Sequence, residues 1–352
     1  MNNNVVIFID TVAFKNKLQV QAINQFGMHA HFFAYQLNTK VDSFLFPKNS
    51  RERLSKNPFK QTFQVFKYLK KNSRTIHHLE VYPGSALSFL YVLAGKLFGI
   101  KSICAERGDL YYYCNKKYNI FTRFSMQFCY RYSDVVWYRE LYMKPLLEKI
   151  GSKELFFLHN AVPVTMGNIS EPAARNTDFL WLNRVIPERR SDWFIQVLQK
   201  EAFMQTKNIL AGFLADSPYK NEQEYILTHK PATLSVKEFS SDTEHFFKDS
   251  RFFVMPAEFI FANNALLEAM SFGVIPLISD QQGSALIVEN GISGFIFPHT
   301  FEGLEKAMER VLKMEEKDLE EISKAARQKI ISDFSEEKYI IRIQDMYALI
   351  EK

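Results

Sequence analysis

Residues 252–297 read FFVMPAEFIFANNALLEAMSFGVIPLISDQQGSALIVENGISGFIF, and this stretch decides the fold. A short apolar run at residues 252–255 is followed by a helical segment that begins near Asn264, and a second apolar run at residues 274–279 comes next. Strand-like runs that alternate with helices of about ten residues are typical of repeated βα units around a parallel sheet. Because ligands bind such sheets at the carboxyl ends of the strands, this stretch predicts a ligand site.

The length and composition favour two domains without a membrane span. The chain has 352 residues, 47% of them hydrophobic, which is enough for two cores. Its most apolar stretch, residues 85–100, contains Lys96 and is shorter than the roughly 20 residues that a span needs. The first residues, MNNNVVIFID, lack the pattern of a signal peptide, and the three cysteines form no metal-like pair. Together these features predict a cytoplasmic protein.

The charge is divided unevenly along the chain. Residues 1–163 contain 23 Lys and Arg against 10 Asp and Glu, whereas the remainder contains 21 against 29. A basic half indicates an anionic partner, for which nucleic acid, a membrane surface and a phosphorylated lipid acceptor are the candidates. The chain has no zinc-finger spacing, RNA-recognition signature or convincing helix-turn-helix pattern, so we expect no nucleic-acid partner.

One basic segment combines lysines with aromatic residues. Residues 56–71, KNPFKQTFQVFKYLKK, place Phe59, Phe63 and Phe66 at helical spacing among lysines. This pattern is typical of a helix that lies on an anionic membrane, and we predict such a contact for Lys56 to Lys71. A helix that packs its phenylalanines on a sheet and keeps its lysines in water is the alternative.

In the first half, predicted strands alternate with predicted helices, as in a doubly wound sheet. A polar segment with Gly and Pro, residues 164–178, separates the two charge-contrasted halves and is predicted to be an interdomain linker. Strands of the first half are predicted at residues 5–9, 30–35, 75–81, 102–105, 134–138 and 155–158, with helices between them.

Three motifs in the second half carry a resemblance. The segment NALLEAM at residues 264–270, with Gly273 and Pro276, resembles the donor-site signature of glycosyltransferase family four, a group of retaining enzymes with the GT-B fold. Residues 182–190, LNRVIPERR, resemble the basic motif in which an arginine and, five residues later, a lysine face the donor diphosphate. The family's closing segment is resembled by Ile287, Val288, Gly291, Gly294 and Phe295.

The resemblance covers roughly residues 178–300 and implies an α/β GT-B architecture, with two Rossmann-like, doubly wound domains that face a central cleft. The acceptor-side domain is then residues 1–165, and the nucleotide-sugar-binding domain is residues 178–335. In GT-B enzymes the last helix commonly crosses back onto the first domain, and we expect this of residues 336–352.

The resemblance assigns Arg184 and Arg189 to the donor diphosphate. Arginine suits this role because its planar fork makes bidentate, charge-assisted contacts to phosphate oxygens. Arg189 replaces the family's usual lysine, which keeps the charge and changes the geometry. Alternatively, Arg189 and Arg190 form a solvated basic cluster at a helix start, and for Arg190 we prefer this interpretation.

Helix 264–270 supplies further donor contacts by resemblance. Glu268 matches the glutamate that holds the donor's ribose hydroxyls, since a carboxylate accepts two hydrogen bonds from a vicinal diol. A solvated helix glutamate is the alternative. Asn263 and Asn264 are predicted at the phosphate and the helix start, where Asn264 is expected to cap and free N–H groups favour an anion.

Two departures from the family concern the transferred sugar. The first family glutamate, which contacts that sugar, is replaced by Ile260, and Glu258 is its predicted substitute. The later glutamate of the closing segment is replaced by Leu286. In the first half, Arg107 stands where the family often has a histidine and is predicted to face the sugar or its phosphate; a surface turn is the alternative. Glu80 is a weaker candidate for the acceptor's general base.

These motifs together predict a metal-independent, retaining glycosyltransferase. No Asp-x-Asp pair occurs, so we expect no metal and no cofactor beyond a nucleotide-diphosphate sugar as co-substrate. The acceptor is a glycan or a lipid-linked molecule, and the setting is bacterial surface polysaccharide synthesis at the inner face of the membrane. A catalytically weakened binding subunit of a glycosyltransferase complex and a nucleotide-sugar epimerase remain alternatives.

Overall fold

A computed structural model describes residues 4–12, 16–37, 50–164, 169–214, 217–240, 242–260 and 263–351. The chain divides into two compact units. The first unit comprises Met1–His159 together with Glu337–Lys352, and the second comprises Asn160–Glu336. Each unit is built on its own parallel sheet with helices on both faces.

In its described part, the first unit has a sheet of seven strands in the order β3-β2-β1-β4-β5-β6-β7, all parallel. The order reverses between β1 and β4, as in Rossmann-like folds. The strands are β1 (Asn4–Val12), β2 (His29–Leu37), β3 (Ser50–Arg53), β4 (Ile76–Val81), β5 (Lys101–Glu106), β6 (Val135–Tyr138) and β7 (Leu155–Phe157).

The helices of the first unit bury apolar residues against this sheet. In the helix Pro58–Asn72, Val65 and Leu69 lie in the core one turn apart, as the 3.6-residue period requires. The helix 336–351 contributes Tyr339, Ile343 and Tyr347 to the buried residues. The helices are α1 (Lys17–Gln25), α2 (Pro58–Asn72), α3 (Ser88–Leu97), α4 (Asp109–Cys114), α5 (Ile120–Tyr132), α6 (Met143–Ile150) and, last in the chain, α14 (Glu336–Glu351).

The described residues of the second unit form a sheet of six parallel strands in the order β10-β9-β8-β11-β12-β13, with the reversal between β8 and β11. The strands are β8 (Thr177–Leu182), β9 (Asn208–Phe213), β10 (Leu234–Glu238), β11 (Ser250–Met255), β12 (Ile275–Ser279) and β13 (Phe295–Phe297). The helices are α7 (Ser191–Leu198), α8 (Lys220–His229), α9 (Glu244–Asp249), α10 (Asn264–Ser271), α11 (Ser284–Ile287), α12 (Phe301–Leu312) and α13 (Glu316–Lys329).

Both faces of the second sheet are buried, which explains its continuous apolar strands. Phe252 and Val254 of β11 pack into one core cluster, and Phe253 and Met255 pack into another. Successive side chains of a strand point to opposite faces, so a strand covered on both sides must be apolar throughout. The predicted α/β class with two doubly wound domains is confirmed.

The segment predicted as a linker is packed rather than free. Residues 165–168 lie outside the described residues, but Arg175 is 6% exposed. Its guanidinium donates to the backbone carbonyls of Ser170, Ser250 and Phe272 at 2.7–3.1 Å. A buried guanidinium needs such acceptors, and here they tie residues 169–178 to the second unit. In the described part of the chain, no helix is both long and apolar enough to span a bilayer.

Candidate functional site

The candidate site of the second unit lies where the strand order reverses, between β8 and β11. In sheets of this kind the ligand crevice opens at the carboxyl ends of the strands that flank the reversal. β8 ends at Leu182 and β11 at Met255, so the loops that follow them carry most of the predicted residues. Gly212, with φ of 121°, permits close packing here, because a Cβ would lie 1.8 Å from the carbonyl oxygen of Asn183.

Two asparagines determine the start of α10. Oδ1 of Asn263 accepts a hydrogen bond from the backbone N–H of Leu266 at 3.2 Å, so Asn263 is the N-cap. The prediction that Asn264 caps the helix was wrong by one residue; its Oδ1 accepts from Nδ2 of Asn160 at 2.8 Å. Nδ2 of Asn263 donates to Oδ1 of Asn183 at 3.0 Å. This tertiary contact fixes Asn263 beside the loop that follows β8.

Asn183 also carries a buried donor without a partner. Its Nδ2 has no hydrogen-bond partner among the residues that the structure describes. Buried donors are normally satisfied by protein, water or ligand, so an orphan calls for an explanation. It belongs to the same hydrogen-bonded pair that fixes the first turn of α10, where free N–H groups favour anions.

The two predicted arginines differ in their surroundings. Arg184 is exposed, and within the described ranges its guanidinium has no hydrogen-bond or ion-pair partner. Arg189 is half-buried in the 3₁₀ turn Pro187–Arg189, where Nη1 donates to the carbonyl of Phe259 at 3.2 Å. Its guanidinium also lies 4.8 Å from the centroid of the Phe259 ring. Arg189 is therefore held against the loop that follows β11, whereas Arg184 is available to solvent.

Arg190 takes part in local structure. It adopts a left-handed conformation with φ of 51° immediately before α7. Its Nη2 lies 2.9 Å from Oδ2 of Asp192, and its guanidinium stacks 4.2 Å from the Trp193 ring. A surface pocket of about 280 Å³ opens beside it, lined by Pro187, Arg190, Ser191, Asp192, Asn221, Glu222 and Tyr225.

The loop after β11 carries the exposed carboxylate of Glu258, with Ile260 two residues further on. The backbone N–H of Glu258 donates to the carbonyl of Glu188 at 2.9 Å, and its side chain is exposed. Ile260 is fully buried in the apolar cluster that Leu286 also contacts. Ile260 is therefore a core side chain, and Leu286 is a half-buried side chain that packs against the same core.

Glu268 lies on α10 and is half-buried. Its Oε2 accepts a hydrogen bond from the hydroxyl of Thr243 at 3.3 Å. Burial raises the pKa of the Glu268 carboxyl above its usual range, and the Thr243 hydrogen bond partly opposes that rise. A fully solvated helix glutamate would show neither feature, so the structure does not support that alternative for Glu268.

In the first unit, Arg107 lies after β5 in an aromatic setting. Its Nη1 donates to the hydroxyl of Tyr82 at 3.4 Å, and its guanidinium lies 5.3 Å from the ring centroid of Trp137. Its Nε is buried and has no hydrogen-bond partner in the described part of the chain. Arg107 is therefore not part of a solvated surface turn.

Glu80 is enclosed within the first unit. It is fully buried, and it accepts hydrogen bonds from the side chains of Gln19 and Tyr347, with Nε2 of His78 at 3.3 Å. A carboxylate with these partners has no access to an acceptor, so the structure does not support Glu80 as a general base. Sequence reasoning missed this network because Tyr347 lies on the last helix, 267 positions away.

Over the described ranges, no group of three or more His, Cys, Asp or Glu residues could hold a metal ion. Positive charge at the edge of the second sheet comes from Arg184 and Arg189.

Comparison with known proteins finds a family match within the second unit. Residues 168–329 match the family described as glycosyl transferases, group 1. The chain is also similar to a protein of Escherichia coli named UDP-Gal:alpha-D-GlcNAc-diphosphoundecaprenol alpha-1,3-galactosyltransferase. The two are 21% identical over 341 residues, which cover 88% of this chain and 84% of the relative.

Solved structures share the fold over nearly the whole chain. Anabaena Alr3699/HepE in complex with UDP has a TM-score of 0.80 at 12% identity and covers 98% of this chain and 99% of its own. The lipopolysaccharide outer core galactosyltransferase WaaB has a TM-score of 0.74 at 15% identity, with 97% and 98% covered. At these identities the likeness shows the fold, which is GT-B.

Proposed function

We propose that this chain, a glycosyltransferase of the GT-B fold, transfers a hexose with retention from a UDP-sugar to a lipid-linked acceptor in bacterial surface polysaccharide synthesis. The observation that carries the proposal is the edge of the second sheet at the β8–β11 reversal. There an exposed arginine, a second arginine and a helix start converge within the region that matches the family. UDP is proposed because the E. coli relative is named for UDP-Gal and Alr3699/HepE binds UDP.

The departing diphosphate is proposed to lie between Arg184, Arg189 and the first turn of α10. Negative charge develops on the β-phosphate as the glycosidic bond breaks, and fixed donors in place before the reaction stabilise it best. Arg184 supplies a guanidinium that is free to form a bidentate pair. The N–H groups near Asn264 and the unpaired Nδ2 of Asn183 supply neutral donors. No metal is required by this arrangement.

Ribose and sugar contacts are proposed on either side of the diphosphate. Glu268 accepts hydrogen bonds from the two ribose hydroxyls, a role that its half-buried position on α10 supports. Glu258 serves the transferred sugar, because it is the exposed carboxylate of the loop in which Ile260 has become part of the core. Arg107, in the first unit, remains a prediction for contact with the sugar or its phosphate.

The acceptor and the location follow from the same proposal. The E. coli relative is named for an acceptor with a diphosphoundecaprenol lipid. An acceptor of that class resides in a bilayer, so we place this enzyme as a peripheral protein at the cytoplasmic face of the membrane. The excess of Lys and Arg in residues 1–163 supports contact with anionic lipid or with an acceptor phosphate.

Thermal unfolding with a panel of nucleotides tests the donor site. UDP and its hexose conjugates should raise the unfolding temperature by mass action, whereas GDP, ADP and CMP should not. Glu268→Ala should weaken UDP binding by about 1.5–3 kcal/mol, roughly 10- to 100-fold, because two charge-assisted hydrogen bonds are lost. Glu224→Ala, an exposed glutamate on α8, is the matched control and should bind UDP like the parent. Equal UDP affinity in Glu268→Ala and the parent would refute the ribose assignment.

A catalytically weakened binding subunit is the second candidate, favoured by the burial of Ile260 and by Leu286 on the same cluster. Product analysis with UDP-hexose and a lipid-linked acceptor separates the two. Transfer supports the enzyme, and UDP-hexose binding with no turnover supports the subunit. Conversion of the donor sugar in the absence of acceptor would instead indicate an epimerase.

A further inference from the structure

The first unit exposes large apolar side chains on two helices. Five of them lie in the first two turns of α2 and α5, and we call them the aromatic cluster. Isolated exposed apolar residues are ordinary, but a group on neighbouring elements usually marks an interaction surface. The cluster consists of Phe59 (86% exposed), Phe63 (69%), Ile120 (74%), Phe121 (75%) and Phe124 (58%).

The two halves of the aromatic cluster are linked through α3. This helix packs against both α2 and α5, and Phe89 near its start makes an edge contact with Phe124 at 5.9 Å between ring centroids. All three helices precede parallel strands, so their first turns lie at the carboxyl edge of the sheet. The cluster therefore lies at one edge of the first unit.

The core does not use these aromatic residues. In α2 the buried positions are Gln61, Val65 and Leu69, and Phe66 is half-buried against Phe98 at 6.0 Å. Phe59 and Phe63 lie outside this buried stripe. The alternative raised by the sequence, in which the helix packs its phenylalanines on the sheet, therefore holds for Phe66 alone.

The same three helices carry positive charge and no negative charge. None of the residues of α2, α3 and α5 is Asp or Glu. The cations are Lys60, Lys67, Lys70, Lys71, Lys96, Arg123 and Arg131. Most lie beyond the apolar first turns, so an apolar edge is bordered by a basic surface.

We infer that α2 and α5 dock the protein on an anionic bilayer, with the aromatic cluster inserted at the acyl boundary and the lysines on lipid headgroups. Interfacial helices bind in this way through buried apolar area and attraction to anionic lipid together. A second copy of the chain fits the surface poorly, because two cationic faces would repel each other. The inference deepens the proposed function and rests on it for the lipid-linked acceptor that such docking would serve.

Vesicle co-sedimentation of the full chain tests the inference directly. The protein should bind vesicles of phosphatidylcholine with phosphatidylglycerol, and should bind phosphatidylcholine alone more weakly. Phe59→Ala/Phe63→Ala and Phe121→Ala/Phe124→Ala should each lower the partition coefficient at least about tenfold. Met204→Ala/Leu227→Ala, exposed apolar residues of the second unit, is the matched control and should bind like the parent.

Charge reversal separates the electrostatic contribution. Lys67→Glu/Lys70→Glu/Lys71→Glu should abolish the preference for phosphatidylglycerol, and high salt should weaken binding by the parent. Lys153→Glu/Lys230→Glu/Lys317→Glu makes the same change in net charge at exposed positions elsewhere and should keep the preference. A loss of binding in both triple variants, or in the apolar control, would overturn the assignment to α2 and α5.

Two further readouts distinguish the possible failures. UDP-hexose binding and transfer to a water-soluble acceptor analogue should be unchanged in the aromatic variants, because these residues lie outside the donor site. If the parent binds vesicles but transfers no sugar, the proposed function fails and the docking surface stands. If the parent ignores anionic vesicles, and the aromatic variants change only self-association or capture of a protein partner, the bilayer is the wrong occupant.

Discussion

Six strands of the first sheet follow the same order as the six strands of the second, and the two sheets differ at the edge where that order reverses. In the first unit two acids near that edge are fully buried: Glu80 on β4, which flanks the reversal, and Glu106 at the end of the neighbouring strand β5, which accepts from the backbone N–H groups of Gly108 and Leu110 at 2.6 and 3.0 Å. In the second unit, Arg184 and Glu258 follow the flanking strands and are exposed. Topology locates a crevice in each sheet, but the side chains decide whether the protein or a ligand fills it.

The two edges also differ in the free-energy cost of their charged side chains. Burying a carboxylate costs free energy unless it accepts hydrogen bonds, so the buried acids of the first unit are expected to need their protein donors. An exposed guanidinium remains hydrated at little cost and can exchange water for phosphate. The first edge is thus expected to control stability and the second to control ligand affinity, which mutagenesis can separate.

The largest effect is expected from Glu80→Ala. Gln19, His78 and Tyr347 would lose their shared acceptor, and since each buried group left without a partner costs about 1–3 kcal/mol, the free energy of unfolding should fall by about 3–5 kcal/mol. Urea denaturation measures this change. The exposed carboxylate of the other sheet is the control: Glu258→Ala should change stability by less than about 0.5 kcal/mol. A loss below about 1 kcal/mol in Glu80→Ala would show that the network is not a stabilising one.

A smaller effect, on affinity instead of stability, is expected at the second edge. Arg184→Ala should weaken UDP binding by about 1.5–3 kcal/mol and leave the urea midpoint unchanged, because its guanidinium has no protein partner in the described ranges. Isothermal titration with UDP measures the affinity. Arg189→Lys, which restores the family's residue, should weaken binding less than Arg189→Ala does. Unaltered UDP affinity in both alanine variants would remove the arginines from the diphosphate site.

The smallest expected effect is a pH dependence that the histidines of the first unit produce. Burial lowers the pKa of His78 below its ordinary value, opposed by its contacts with Glu80, and burial likewise lowers the pKa of His31, opposed by Glu52. The unfolded chain then binds more protons than the native one below the ordinary histidine pKa of about 6.5. The free energy of unfolding is therefore higher above that pH, and it falls as the pH drops through it.

Tryptophan fluorescence can assign this pH effect. Trp137 belongs to the first unit, and the other tryptophans, Trp181 and Trp193, belong to the second. In a Trp181→Phe/Trp193→Phe background, the urea midpoint reported by Trp137 should fall between about pH 7.5 and about pH 5.5. His78→Gln should make the urea midpoint change less between these two pH values. If His78→Gln leaves the pH dependence of the urea midpoint unchanged, the proton uptake belongs to other groups.

The sequence anticipated the strands because their signal is local. The apolar runs at residues 252–255 and 274–279 fall on β11 and β12, since a strand buried on both faces must be apolar throughout. The replacement of the family's acids by Ile260 and Leu286 was also visible directly. The roles of Arg184, Arg189, Glu268 and Glu258 remain predictions.

Contacts between distant residues could not be anticipated. The helix cap is Asn263, whose amide donates to Asn183, 80 positions earlier, a contact that local sequence does not show. Glu80 was predicted as a weaker candidate for the general base, and its partners Tyr347 and Gln19 are brought to it only by the fold. Helical periodicity identified Phe59 and Phe63 as one stripe, but the neighbouring exposed group on α5 was found only from packing.

The passage of α14 into the first unit has a consequence for biosynthesis. The second unit is one continuous stretch, Asn160–Glu336, whereas the first is made of two stretches from either side of it. On the ribosome, every residue of the second unit has been added before the helix that bears Tyr347 is made. The first stretch of the first unit is therefore made before the second unit, and Glu80 lacks one of its donors until α14 emerges.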